Sequence, residues 1–204
     1  MSKNNLKLLE KKVEKFLRKK YPDSIIKKEY KRIGYPVQPD YAIFTKEKLI
    51  FVELKGNKDT LARLYRQLFH YQRIADSVIV FTDKKYKLDL KNRGIGTGIL
   101  KKKKIKNFIE PGTYPERVTD ILDMLYSSEL DILLSFLNFK FNNIQYKKNT
   151  IKAIYTQFEI RKYAYNILYN RMKNNLEEGF LDIEIALKQN KINLYNLFEI
   201  GGIL

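Results

Sequence analysis

The sequence predicts a mixed α/β core with a helical C-terminal extension. Three observations lead there: alternating helix and strand patterns in the first half, a change of charge near residue 114, and long helical periodicity after it. A helix is predicted over residues 4–20, where Leu6, Leu9, Val13, Phe16 and Leu17 fall on an arc of about 100° and lysines fill the rest. Tyr21-Pro22-Asp23 ends it. Residues 24–33 read as a strand, broken by Gly34 and Pro36, and the apolar runs 41–45 and 48–54 as a hairpin. From Asp59, an N-cap candidate, Leu61, Leu64, Leu68, Tyr71 and Ala75 recur at helical spacing and predict a helix over 60–75. Residues 77–82 (SVIVFT) form a continuous apolar run suited to a buried parallel strand, and 94–100 supply a glycine-rich turn and one more strand.

Pro111, Gly112 and Pro115 punctuate the chain where its charge changes, which divides it into a core, 1–114, and a helical segment, 115–204. In that segment 116–139 and 150–178 carry helical periodicity, Asn142-Asn143 marks a turn, and 182–198 reads as a last helix. These helices are expected to pack on the core or to form a homodimer.

The 204 residues hold 40 Lys and Arg against 23 Asp and Glu, a net charge of +17. Residues 1–114 hold 29 against 12 and residues 115–204 hold 11 against 11, so the whole surplus lies in the first half. An AT-rich codon bias raises lysine everywhere and does not explain that asymmetry. A basic half beside a neutral one suits a polyanion, with nucleic acid ahead of an anionic membrane surface, since no basic helix is lined with Trp or Phe. There is no run of 18 apolar residues and no secretory h-region, so the expected location is the cytoplasm, that of a host cell if the protein is viral. The absence of Cys excludes disulfides, thiolate metal sites and thiol nucleophiles, and the single His70 excludes a multi-His metal site. A metal must then sit on oxygen ligands, which favours Mg²⁺, Mn²⁺ or Ca²⁺.

A hairpin turn centred between Lys46 and Glu47 sets Asp40 directly across from Glu53, with Lys55 on the same face and Ile50, Val52 and Leu54 on the other. Two carboxylates so close repel, and a divalent ion between them would relieve the repulsion, lower the pKa of a bound water and polarise a phosphoryl oxygen. Lys55 could orient that water or steady developing negative charge. An exposed cross-strand ion-pair cluster would give the same pattern without any chemistry.

Pro39-Asp40, the 12 residues that separate Asp40 from Glu53, and Glu53-Leu54-Lys55 closing an apolar strand resemble the PD-(D/E)XK nuclease superfamily. The resemblance implies a restriction-endonuclease-like mixed sheet flanked by helices, and Mg²⁺ or Mn²⁺ held by Asp40, Glu53 and a carbonyl near Leu54. It implies an acidic residue on the first helix; Glu10 lies at the edge of the apolar arc, whereas Glu14 projects about 40° further towards solvent. Lys55 would position the attacking water. Gln67 and Tyr71, at i and i+4, resemble the Gln-x-x-x-Tyr motif of the RecB-like and Cas4-like branches and would hold substrate beside the metal, joined by Arg63 and Arg66. An ordinary core Tyr71 with a solvated Gln67 would also fit that spacing. His70 is expected to be a helix-surface side chain rather than a base. Lys101 to Lys104 suit either a phosphate backbone or a solvated turn, Tyr35 and Tyr41 either base stacking or burial, and 182–198 faintly suggest helix-turn-helix without a basic recognition face.

The expected function is a metal-dependent nuclease acting on DNA in repair, recombination, replication or viral genome processing. The rivals are a non-catalytic DNA-binding or recombination accessory protein on the same fold, and a partner protein that works through its helical half. DNA against RNA and endo- against exonuclease stay open at this level.

Overall fold

A computed structural model describes residues 3–31, 36–56, 59–82, 90–91, 93–101, 104–113, 119–135 and 141–174. The described elements are α1 (Lys3–Lys20), β1 (Ile25–Lys28), β2 (Tyr41–Phe44), β3 (Leu49–Lys55), α2 (Leu61–Gln72), β4 (Ser77–Thr82), β5 (Gly96–Lys101), β6 (Lys104–Ile109), a 3₁₀ turn (Ile121–Met124), α3 (Ser127–Leu134), α4 (Ile144–Ile154) and α5 (Gln157–Lys173). The six strands form one mixed sheet in sequence order. The chain divides into two compact units, residues 1–43 with 49–118, and 44–48 with 119 onward. The expected boundary at 114 and the expected helix over 182–198 lie outside the described residues.

In the first unit, the amphipathic pattern of α1 sets Val13 and Leu17 on a core formed with Tyr41, Ile43, Ile50, Val52, Ile79 and Phe81. Each fully buried large apolar side chain contributes about 1.5–3 kcal/mol relative to exposure. Leu64, Leu68 and Tyr71 are the buried positions of α2, and Tyr71 meets Phe51 of β3 edge to face at 5.3 Å. The apolar run of β4 is buried throughout and pairs in parallel with β3 on one side and β5 on the other, as expected of a central strand. Across the β2–β3 turn the Thr45 N–H donates to the Lys48 carbonyl at 3.1 Å, which is the pairing centred between Lys46 and Glu47.

Three local expectations are corrected. The first strand is shorter than 24–33 and covers four residues. The cap of α2 is Thr60, whose hydroxyl accepts the Arg63 N–H at 3.4 Å; Asp59 instead accepts the Gly56 N–H at 2.9 Å and closes the turn before the helix. β6 has no counterpart in the predicted elements because its alternation is interrupted: Asn107 sits at φ 51°, the register shifts there, and Ile105 and Phe108, three apart, both reach the same core. In the lysine run, Lys101 ends β5 and pairs with Lys104, which starts β6, while the two lysines between them lie outside the described residues.

The second unit corrects the long helices. The helix expected over 116–139 is interrupted at extended Leu125 and Tyr126, where Glu129 accepts the Tyr126 N–H at 2.7 Å and Arg171 donates to the Met124 carbonyl at 3.1 Å. The helix expected from 150 begins earlier, with Asn143 capping α4, and breaks at Tyr155 and Thr156; Thr156 and Glu159 form a capping box that starts α5. Two buried cations hold these helices. Lys147 donates to the Ser127 carbonyl, the Ser127 hydroxyl and Asp131, and Arg171 pairs with Glu129 at 2.8 Å.

Candidate active site

Glu53 and Lys55 stand near the C-terminal end of β3, separated by one residue and therefore on one face of the sheet. They are 3% and 4% exposed, which rules out the exposed ion-pair cluster that the same sequence pattern allows. The Lys55 ammonium donates to Glu53 Oε1 at 2.6 Å, and Gln67 Nε2 donates to the same oxygen at 2.9 Å. The Tyr71 hydroxyl lies 2.8 Å from Glu53 Oε2 and 3.0 Å from the Gln38 carbonyl, and Gln67 Nε2 is 3.4 Å from it. Burial first, then the Glu53 charge, pushes the Tyr71 phenol well above its ordinary value, so it remains a donor across the physiological range. Gln67 and Tyr71 thus fix both oxygens of one carboxylate. The core Tyr71 and the polar Tyr71 are the same residue.

Asp40 precedes β2. Its Oδ2 accepts the Leu54 N–H at 2.6 Å, and its carbonyl accepts the Glu29 N–H at 2.8 Å. Burial, then the facing Glu53 charge, pushes its carboxyl up to about 6, while the Leu54 N–H and Lys55 oppose that shift. Leu54 therefore serves the site through its amide, and its side chain packs on the opposite, α1 face of the sheet.

The other predicted residues lie further out. Glu10 is paired with Lys28 at 2.6 Å, and the Tyr41 hydroxyl donates to its carbonyl at 3.2 Å; its charge reaches Asp40 only as the weakest of the influences there. Arg63 and Arg66 are exposed on α2. His70 is half-buried on the same helix, edge to face with Phe69 at 5.4 Å. Tyr41 is buried in the α1 core, so its ring offers no face to a base, and Tyr35 lies outside the described residues. One contributor escapes sequence reasoning. The Gln38 carbonyl is a backbone group with no residue signature.

The donor set is suited to a hard divalent cation. Asp40 Oδ1 has no hydrogen bond among the described residues, and its carboxyl is destabilised in the charged form, an imbalance that a cation reverses. Among the described residues no group of three or more His, Cys, Asp or Glu gathers into a metal cage, but Mg²⁺ commonly takes one or two carboxylates and keeps several waters.

The sequence matches the family described as Bacteriophage P4 protein cII over residues 2–198. The chain belongs to the phage P4 cII family. No curated protein matches the sequence. Among solved structures, a protein of unknown function from Silicibacter pomeroyi, SPO1766, is similar over 67% of this chain and 94% of its own, at 14% identity and a TM-score of 0.39. Among the described residues of this cII-family chain no helix is long and apolar enough to cross a membrane.

Proposed function

We propose that this protein is a metal-dependent nuclease of the PD-(D/E)XK type that hydrolyses DNA phosphodiester bonds. The reading rests on one observation: a buried Glu53–Lys55 pair faces Asp40, whose carboxyl is pushed up to about 6 beside it. Asp40 and Glu53 would hold Mg²⁺ or Mn²⁺, which supplies positive charge against a phosphoryl oxygen and the charge that builds on it during hydrolysis. Lys55 would donate to the attacking water or to the phosphoryl oxygen that gains charge, its ammonium held in place by Glu53. Gln67 and Tyr71 would keep Glu53 in a single orientation, and the surplus of lysine and arginine would hold the phosphate backbone. Membership of a phage family supports a role in viral genome processing, repair, recombination or replication within the host-cell cytoplasm. Exposed Tyr146 and Phe158 on the C-terminal helices support a homodimer formed through them.

A panel of plasmid, linear and branched DNA incubated with Mg²⁺ or Mn²⁺ tests the reading. Cleavage is expected from the natural sequence and is expected to vanish in Asp40→Ala and Lys55→Ala with circular dichroism unchanged. The second reading is a DNA-binding or recombination accessory protein, favoured by the 2.6 Å Lys55–Glu53 contact, which balances one acid without a cation. It predicts no cleavage with any metal, and salt-dependent DNA binding that Glu53→Gln leaves intact.

A further inference from the structure

The outward face of α2 carries a charge pattern that its inward face does not explain. At about 100° per residue, Arg63 and His70 lie about 40° and 60° from Gln67, Arg66 follows, and Arg73, the C-cap, and Phe69 complete the far side of the stripe. Gln67 itself touches Glu53, so the stripe begins at the candidate site. The helix LARLYRQLFHYQ contains no carboxylate, although i, i+4 acids would stabilise it by a few tenths of a kcal/mol per pair. Phe69 is 59% exposed within this cationic row, with the Arg73 guanidinium 5.5 Å from its ring centroid. An exposed aromatic ring with a guanidinium beside it, next to further arginines on the same helix face, matches a strand that presents both phosphates and unstacked bases; a duplex presents phosphates and base edges but keeps its base faces stacked.

We infer that this face of α2 binds single-stranded DNA, with a base stacked on Phe69 and the backbone running along Arg63 and Arg66 towards Glu53. The inference relies on the nuclease reading only for where the scissile phosphate would lie. It narrows the substrate to a strand that is already single or frayed.

The test is fluorescence anisotropy with the full chain, without divalent metal, on a labelled oligothymidylate of about 20 nucleotides and on a duplex of the same length. Phe69→Ala is expected to weaken single-strand binding by about tenfold with an unchanged salt slope and to move duplex binding by less than about twofold, while Phe69→Trp restores the affinity. Arg66→Gln is expected to weaken both and to lower the salt slope by about one. The exposed position of Phe69 keeps the fold out of the comparison. Unchanged single-strand affinity in Phe69→Ala, or an equal loss on duplex, overturns the inference. Failure of the natural sequence to cleave DNA would refute the nuclease reading and leave this binding result standing, because no metal is present in the assay.

Discussion

Asp40 carries an electrostatic cost that an asparagine would not. Its carboxyl is pushed up to about 6 by burial and by Glu53, so the folded chain holds that proton more tightly than the unfolded chain does. The contribution of Asp40 to stability therefore falls as pH rises from about 4 to about 6 and stays lower above that window. Asn at this position keeps an acceptor for the Leu54 N–H and removes the charge. In urea unfolding without divalent ions, Asp40→Asn is expected to be more stable than the natural sequence at pH 7.5 by about 1–3 kcal/mol, with the gain disappearing near pH 4. Millimolar Mg²⁺ is expected to raise the Tm of the natural sequence but not that of Asp40→Asn, a binding readout separate from activity. Tyr71→Phe keeps the edge-to-face contact with Phe51 and loses the hydroxyl beside Glu53. It is expected to cost about 1–2 kcal/mol in urea unfolding and to reduce cleavage while leaving DNA affinity unchanged.

At the scale of elements, β5 depends on glycine for space rather than for a turn. A Cβ on Gly98 would lie 2.4 Å from the Phe81 ring, and that ring is held by Phe16 and Phe108 with centroids 5.8 and 6.2 Å away. The ring therefore has little room to yield. Gly98→Ala is expected to destabilise the protein by about 1–3 kcal/mol or more, measured by urea unfolding. Gly94, at φ 70°, is the glycine of this stretch that a turn requires. The second unit shows the converse device: Glu129 and the Thr156–Glu159 box interrupt helical periodicity by supplying side-chain partners to the backbone amides at the breaks.

Over the whole chain, the surplus of 17 positive charges sits within residues 1–114, the stretch that also carries Asp40, Glu53 and Lys55. Glu53 is buried and Asp40 half-buried, whereas Arg18, Arg63, Arg66, Lys91 and Arg93 are exposed among the described residues, so phosphate binding is expected to be dominated by counterion release. Affinity for duplex DNA is expected to fall by at least about a hundredfold between about 50 and 200 mM NaCl, followed by anisotropy, with a linear dependence on the logarithm of salt concentration. A flat salt response would place the interaction elsewhere than on these lysines and arginines.

The sequence by itself determined the hairpin register, the Val13–Leu17 face of α1, the buried stripe of α2, the buried character of β4 and the pairing of Asp40 with the Glu53 strand. Each follows from a period or a turn that acts over a few residues. Tertiary structure alone decided the rest. It buried Glu53 and Lys55 where an exposed ion pair would have had the same pattern, and it paired Glu10 with Lys28 on β1. It bulged β6 at Asn107 and emptied the space above Gly98 for Phe81. Burial and choice of partner depend on residues far apart in the chain, and no local spacing encodes which of them will meet.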